Sequence, residues 1–200
     1  MNNRKQKLFN QLCADVVHCE RCTEMVQRSP VLSELNGNIE SSILFVAEAP
    51  GRLGADKFRI PLYGDATGKH FESFLAMADL CRADVFITNA VLCNPRTPAG
   101  NNRTPSRIEV HQCLAHLAAL VDLMHPRLIV SLGATALNSL NLLFNSEVSL
   151  RHQCATKVNI GSTITLFPLY HTSPLAFVHR PKPLQIQDYK KLRTIIHDSP

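Results

Sequence analysis

Four short runs of β-forming apolar residues, 43–47, 85–90, 128–132 and 164–170, constrain the fold of this chain more than any other feature. Each run is nearly continuous rather than alternating, the pattern of strands covered on both faces of a parallel sheet. Helical patterns fall around them, at residues 4–17, 68–80, 105–124, 134–143 and 184–197. Thr104 followed by Pro105 reads as an N-cap and a proline at the first helical position. Strands alternating with helices predict a three-layer α/β/α sandwich around a central, mostly parallel four-stranded sheet with right-handed crossovers. The expected organisation is one domain over residues 1–200. An N-terminal helix and Cys pair in residues 1–40 pack on an α/β core of 41–200.

In open sheets of this kind ligands bind beyond the carboxyl ends of the strands. The loops that begin near Glu48, Asn89, Gly133 and His171 are therefore expected to converge on one site. The irregular segments 49–67 and 94–102 read as functional loops on that scaffold.

No stretch approaches eighteen uninterrupted apolar residues, so no membrane span is expected. The first twenty residues lack a signal-peptide pattern, which points to an intracellular, cytoplasmic protein with reduced thiols. Seven cysteines in that setting suggest metal binding or buried packing rather than disulfides. Cys19-Glu-Arg-Cys22 forms a CxxC pair, Cys93 follows the second strand and Cys113 lies in the next helix. Four thiolates suit zinc and a four-iron cluster alike, and spacing alone does not choose between them. Cys13, Cys81 and Cys154 read as packing residues. The formal net charge of +5 favours an anionic partner only mildly. With no P-loop or GxGxxG fingerprint, no nucleotide cofactor is expected.

Several motifs fall in order on this framework. Val46-Ala-Glu-Ala-Pro-Gly51 followed by Pro61-Leu-Tyr-Gly-Asp-Ala-Thr-Gly68 resembles the first motif of the uracil-DNA glycosylase superfamily, in its iron–sulfur branches, families 4 and 5. Thr88-Asn-Ala-Val-Leu-Cys93, then Asn102-Arg-Thr-Pro-Ser106 and Cys113, looks like their second conserved block, and His171-Thr-Ser-Pro174 resembles the late HPS motif. The resemblance runs from about residue 19 to 180. It implies a DNA glycosylase that hydrolyses the N-glycosidic bond of a flipped-out base, uracil or another deaminated base; monofunctional action is expected because no lysine stands out as an imine-forming nucleophile, a monomer is the default, and nucleoid DNA is the expected partner. It also implies that Cys19, Cys22, Cys93 and Cys113 ligate a structural [4Fe–4S] cluster. The chain departs from the family pattern in three places. Leu62 stands where a base-stacking phenylalanine is usual, Thr172 replaces a proline, and the loop after Cys93 is longer than the common form.

Breaking a glycosidic bond leaves a cationic sugar and an anionic base, so the site needs negative charge or a polarised water at the sugar and donors at the base oxygen. Glu48 suits the first role, with Asp65 and Asp56 as further carboxylates, and His171 suits the second. Asn89 suits bidentate reading of a pyrimidine edge. Leu62 or Tyr63 is expected to cover the base, and the backbone at Ala49 and Gly51 to approach it closely. On the DNA side, Leu175 or Phe177 is expected to fill the gap left by the everted base. Ser173 belongs to the same contact surface, and Arg103 and Arg180, with Arg96, Arg107 and Lys182, are expected to grip phosphate. Two other readings stay open. One is excision of a bulkier modified pyrimidine, for example in phage or foreign DNA; the other is a non-catalytic iron–sulfur nucleic-acid-binding module.

Overall fold

A computed structural model describes residues 3–25, 27–161 and 163–197. Its sheet has five strands rather than four: β1 (Ile43–Ala47), β2 (Phe86–Asn89), β3 (Leu128–Leu132), β4 (Val158–Ile160) and β5 (Ile164–Leu169). The order is β2-β1-β3-β5-β4, with β1, β2, β3 and β5 parallel. β4 is the strand the sequence does not announce. It has three residues, Val-Asn-Ile, lies at the sheet edge and pairs antiparallel with β5 across the Gly161 turn. So short and half-polar a segment carries no apolar run.

The helices are α1 (Asn3–Val17), α2 (Ala55–Phe58), α3 (Ala66–Met77), α4 (Arg107–Met124), α5 (Ala134–Phe144), α6 (Leu150–Gln153) and α7 (Lys182–His197). Continuous apolar strands let alternate residues feed two cores. Leu44, Val46, Phe86, Ile129 and Leu166 point to one face, where Phe9 of α1, Leu120 of α4 and Leu137 of α5 pack. Phe45, Ile87, Val130 and Phe167 point to the other, with Phe71 and Phe74 of α3 and Tyr189 and Leu192 of α7. The three-layer arrangement follows directly.

Helix starts are set by side-chain caps. Asp65 caps α3, accepting the Gly68 N–H at 2.9 Å. The cap of α4 is Ser106 and not Thr104: its hydroxyl accepts from the Glu109 N–H while the Glu109 carboxylate accepts from the Ser106 N–H, a reciprocal box that starts the helix two residues late. α5 begins on Gly133, whose φ of +91° would strain any side chain and where a Cβ would press on the His171 Cβ at 3.3 Å. No helix among the described residues is long and apolar enough to cross a membrane.

Candidate active site

The carboxyl ends of β1, β3 and β5 open into one cleft of about 460 Å³. Glu48, Ala49 and Gly51 line it from the β1 exit, and Leu62, Tyr63 and Asp65 from the following loop. Gly133 lines it from the β3 exit, and His171, Ser173 and Leu175 from the β5 exit. Arg103 reaches the wall from the loop before α4. The predicted convergence of the strand-end loops therefore holds, the loop after β2 reaching the cleft through Asn94, Pro95, Asn102, Arg103 and Thr104, although one of the four residues that begin those loops does not line it.

Asn89 is the exception. It ends β2 paired with Ala47, the residue before Glu48, but is buried to 2% exposure and is not part of the cleft lining. Its side-chain nitrogen has no hydrogen-bond partner among the described residues. A buried amide left unpaired is destabilising, so it marks a group waiting for an acceptor.

Glu48 is held by Thr135, whose hydroxyl donates to Glu48 Oε2 at 2.6 Å. Thr135 sits in the first turn of α5, where backbone N–H groups favour negative charge nearby. Among the described residues the other carboxylate oxygen has no such tether. His171 is fixed differently. The Ser173 backbone N–H donates to its Nδ1 at 3.1 Å, which assigns the lone pair to Nδ1 and the ring proton to Nε2. Burial pushes its pKa down to about 4, against an opposing pull from Asp65, so the ring is a neutral Nε2–H donor near neutrality. Gln185 donates to the carbonyl oxygens of His171 and Arg180 at 3.4 and 3.0 Å and so closes the loop between them.

The first-motif loop is built by contacts that local sequence did not reveal. Asn94 is fully buried and donates to Pro50 O at 2.5 Å and to Asn102 Oδ1 at 3.0 Å, and the same oxygen accepts the Arg52 N–H. Arg96 bridges Asn94 and Asp56. Asp56 therefore serves this staple and not the cleft, which it does not line. Leu62 adopts a left-handed φ of +50°, and Arg82 holds it there by donating to the carbonyl oxygens of Pro61 and Leu62 at 2.5 and 2.8 Å. Arg82 also pairs with Glu72.

Two expected phosphate grips are occupied. Arg103 makes a bidentate pair with Glu109 at 2.6 and 2.7 Å and reaches Glu24 at 3.0 Å. Arg180 makes another with buried Asp188 at 2.6 and 2.9 Å. Both guanidinium groups brace loops beside the cleft. Of the two wedge candidates, Phe177 packs on the His70 ring with centroids 4.9 Å apart, whereas Leu175 is 84% exposed on the 3-10 turn Pro174–Val178. Leu175 is the apolar side chain at the mouth.

Cys19, Cys22, Cys93 and Cys113 line a second, small cavity together with Val16, Met25, Val91, Leu92, Gln112 and His116. Leu92 N–H donates to Cys113 Sγ at 3.4 Å, and Cys22 Sγ to Gln112 at 3.1 Å. Burial raises Cys93 to about 11 and Cys113 to about 12. Among the described residues no three His, Cys, Asp or Glu side chains are close enough together to hold a single metal ion. Tetrahedral zinc would need its sulfurs about 3.8 Å apart. A four-iron cubane binds one thiolate at each corner iron and spreads them wider. Four thiols around one cavity supply the donor set that a thiolate-bound metal centre takes.

A doubly covered α/β sheet with a strand-end cleft holding a carboxylate, a neutral histidine donor and an exposed leucine at its mouth has the groups that a hydrolase acting on a polarised bond needs. The uracil DNA glycosylase superfamily model matches residues 35–193. The chain is 31% identical over 190 residues to the Type-4 uracil-DNA glycosylase of Archaeoglobus fulgidus, covering 92% of this chain and 91% of that one. It is 35% identical over 171 residues to the Type-4 enzyme of Thermotoga maritima, covering 86% and 84%. Against the Type-5 uracil-DNA glycosylase of Pyrobaculum aerophilum identity is 25% over 189 residues, 80% of each chain. The chain belongs to the uracil DNA glycosylase superfamily, and its activity is that of a DNA glycosylase, a hydrolase of N-glycosyl bonds.

Proposed function

We propose that this chain removes uracil from DNA by hydrolysing the bond between the base and its sugar, leaving an abasic site. The observation that carries the reading is the pairing, in one cleft, of a Thr135-tethered Glu48 carboxylate with a His171 whose proton is fixed on Nε2. As the bond lengthens, charge separates into an oxocarbenium-like sugar and an anionic base. Glu48 stabilises the sugar and, through its untethered oxygen, orients the attacking water. The His171 Nε2–H donates to the base oxygen that gains charge. The unpaired Asn89 amide supplies a donor for a carbonyl of the base, which would then satisfy the buried nitrogen. Ala49 and Gly51 bring backbone close to the base edge, and Leu62 covers its face. Asp65 acts through α3, which it caps, and through its charge near His171.

DNA is the partner, and the cytoplasmic nucleoid is the place of action. Leu175 fills the space the base vacates, with Ser173 beside it. Arg103 and Arg180 act by bracing the loops around the cleft. The four cysteines Cys19, Cys22, Cys93 and Cys113 would hold a [4Fe–4S] cluster that ties the segment after α1 to the exit of β2 and to α4, supplying rigidity and no step of the reaction. The whole chain acts as a single, monomeric domain, a reading supported by α1 packing into the same core as α4 and α5.

The test is base release by the anaerobically purified protein from oligonucleotides each carrying one uracil, hypoxanthine, xanthine or enlarged 5-substituted pyrimidine. Uracil release is expected to be fastest, and Glu48→Gln, which keeps the Thr135 contact but removes the charge, is expected to lower kcat about 10²–10⁴-fold. Preferential release of an enlarged pyrimidine would replace uracil as the substrate, and unchanged activity in Glu48→Gln would remove Glu48 from the chemistry.

A further inference from the structure

We infer that Phe58 and Tyr63, flanked by Arg52 and Lys57 at the rim of the cleft, form a stacking platform for an unpaired base adjacent to the everted nucleotide, so that single-stranded DNA is engaged there. The inference rests on the glycosylase reading and adds a subsite to it.

Two exposed aromatic rings side by side are unusual on a protein surface unless something covers them. Phe58 is 42% and Tyr63 44% exposed, and their centroids lie 5.8 Å apart at an interplanar angle of 88°. The pair is also held rigid. Gly64 has a φ of +83°, and a Cβ there would fall 2.2 Å from the Phe58 ring, so the ring lies directly on the Gly64 backbone. Tyr63 follows Leu62, whose carbonyl Arg82 holds, and the Arg82 guanidinium lies 5.9 Å from the Tyr63 ring centroid. A platform fixed in advance loses little entropy when a base lands on it.

Position and charge identify the occupant. Tyr63 and Ala55, at the start of α2, both line the catalytic cleft, so the platform continues the surface that receives the everted nucleotide. A neighbouring nucleotide on the same strand is within one backbone step of it. Lys57 places its ammonium 5.2 Å from the Phe58 centroid, and Arg52 is exposed on the same loop. Aromatic faces interleaved with cations are the arrangement that binds single strands, where every base offers a π-face and every link a phosphate. A base paired within a duplex is already stacked and gains little from the platform.

The test compares kcat/KM for uracil release from single strands that are intact or carry an abasic spacer on one side of the uracil or the other. Stacking on a protein aromatic contributes enough that the wild-type protein should lose about five- to hundredfold with the spacer on one of the two sides. Phe58→Leu keeps a side chain over Gly64 and removes the ring. It should show a loss of similar size on the intact strand, no further loss on the spacer strand, and duplex activity within about twofold of wild type. Equal wild-type activity on intact and spacer strands would overturn the platform while leaving the glycosylase standing. So would a Phe58→Leu loss of the same size on every substrate, which marks a packing defect. No release by wild type from any intact substrate, single-stranded or duplex, would overturn the glycosylase reading itself, and the platform with it; release from duplex alone would overturn only the platform.

Discussion

The Ser173 backbone N–H uses the Nδ1 lone pair of His171, which leaves Nε2–H as the donor. Burial, partly opposed by Asp65, brings the ring's pKa down to about 4. Catalysis by the neutral ring should therefore persist well below pH 6.5, and kcat should show no acidic limb near that value from this residue. Stability runs the other way. Between about 4 and 6.5 the unfolded chain binds a proton that the folded chain refuses, so His171 makes the protein less stable as pH falls through that window. The slope reaches about 1.4 kcal/mol per pH unit. Urea denaturation at pH 7 and pH 5 should show this contribution in the wild type and lose it in His171→Ala. The same variant should lower kcat about 10²–10³-fold, as loss of one donor to a developing anion does. Glu48 and His171 were legible in the sequence because each ends an apolar run. Thr135 was not, since it lies 87 residues from Glu48 and nothing in its own neighbourhood points there. For Arg103 and Arg180, expected to grip phosphate, the carboxylates that hold them stand only six and eight residues on. Glu109 carried a legible signal, as the third residue of a capping box; Asp188 carried none.

At the scale of elements, the apolar runs located β1 and β3 to the residue, and the helix patterns located the five long helices to within a few residues. The loops between them were opaque because their structure comes from long-range pairing of side chains with backbone. Residues 61–63 show this best. Arg82, twenty residues later, donates to two consecutive carbonyl oxygens and keeps Leu62 at positive φ. Gly68 allows the same segment to pack, since a Cβ there would lie 2.7 Å from Leu62 O. A left-handed non-glycine residue persists only while its surroundings enforce it. Removing the clamp in Arg82→Ala should let residues 61–63 relax away from the cleft and raise KM about tenfold, an order set by one or two lost hydrogen bonds to a charged donor. The kcat should change less, because Glu48 and His171 stand on other loops. Arg82→Lys presents one point charge instead of a fork and should recover only part of the KM. A fall in kcat with KM unchanged would mean that the segment does not meet the substrate.

For the whole molecule, the sheet supplies the cleft, and the chain after α1 is tied to it by the Val31 N–H donating to Leu92 O, by buried Asn36 donating to Ile87 O, and by the cysteine cavity. The exit of β2 contributes Cys93, α4 contributes Cys113, and the segment after α1 contributes Cys19 and Cys22. Three parts distant in sequence meet there, and a cluster bound by all four thiolates would stabilise only the folded state. Loss of the cluster should therefore remove the chromophore and part of the stability while leaving the chemistry in place. Cys22→Ser should lose the brown absorbance near about 400 nm expected of thiolate-bound iron–sulfur centres. For a chain of this length each kcal/mol moves Tm by about 2–4 °C, so loss of a clamp of about 3 kcal/mol should lower it by about 6–12 °C. The catalytic cleft is built from the β1, β3 and β5 exits and from residues 94, 95 and 102–104 of the loop after β2, and none of the four cysteines lines it. Single-turnover base release at a temperature well below the variant's Tm should therefore stay within a few-fold of wild type. Iron and sulfide analysis, thermal denaturation and single-turnover kinetics on the same preparation check all three expectations. A variant that keeps full iron and an unchanged Tm would show that Cys22 is not part of the clamp. One that folds as stably as wild type yet releases no base would place the cysteine cavity in the chemistry rather than in the architecture.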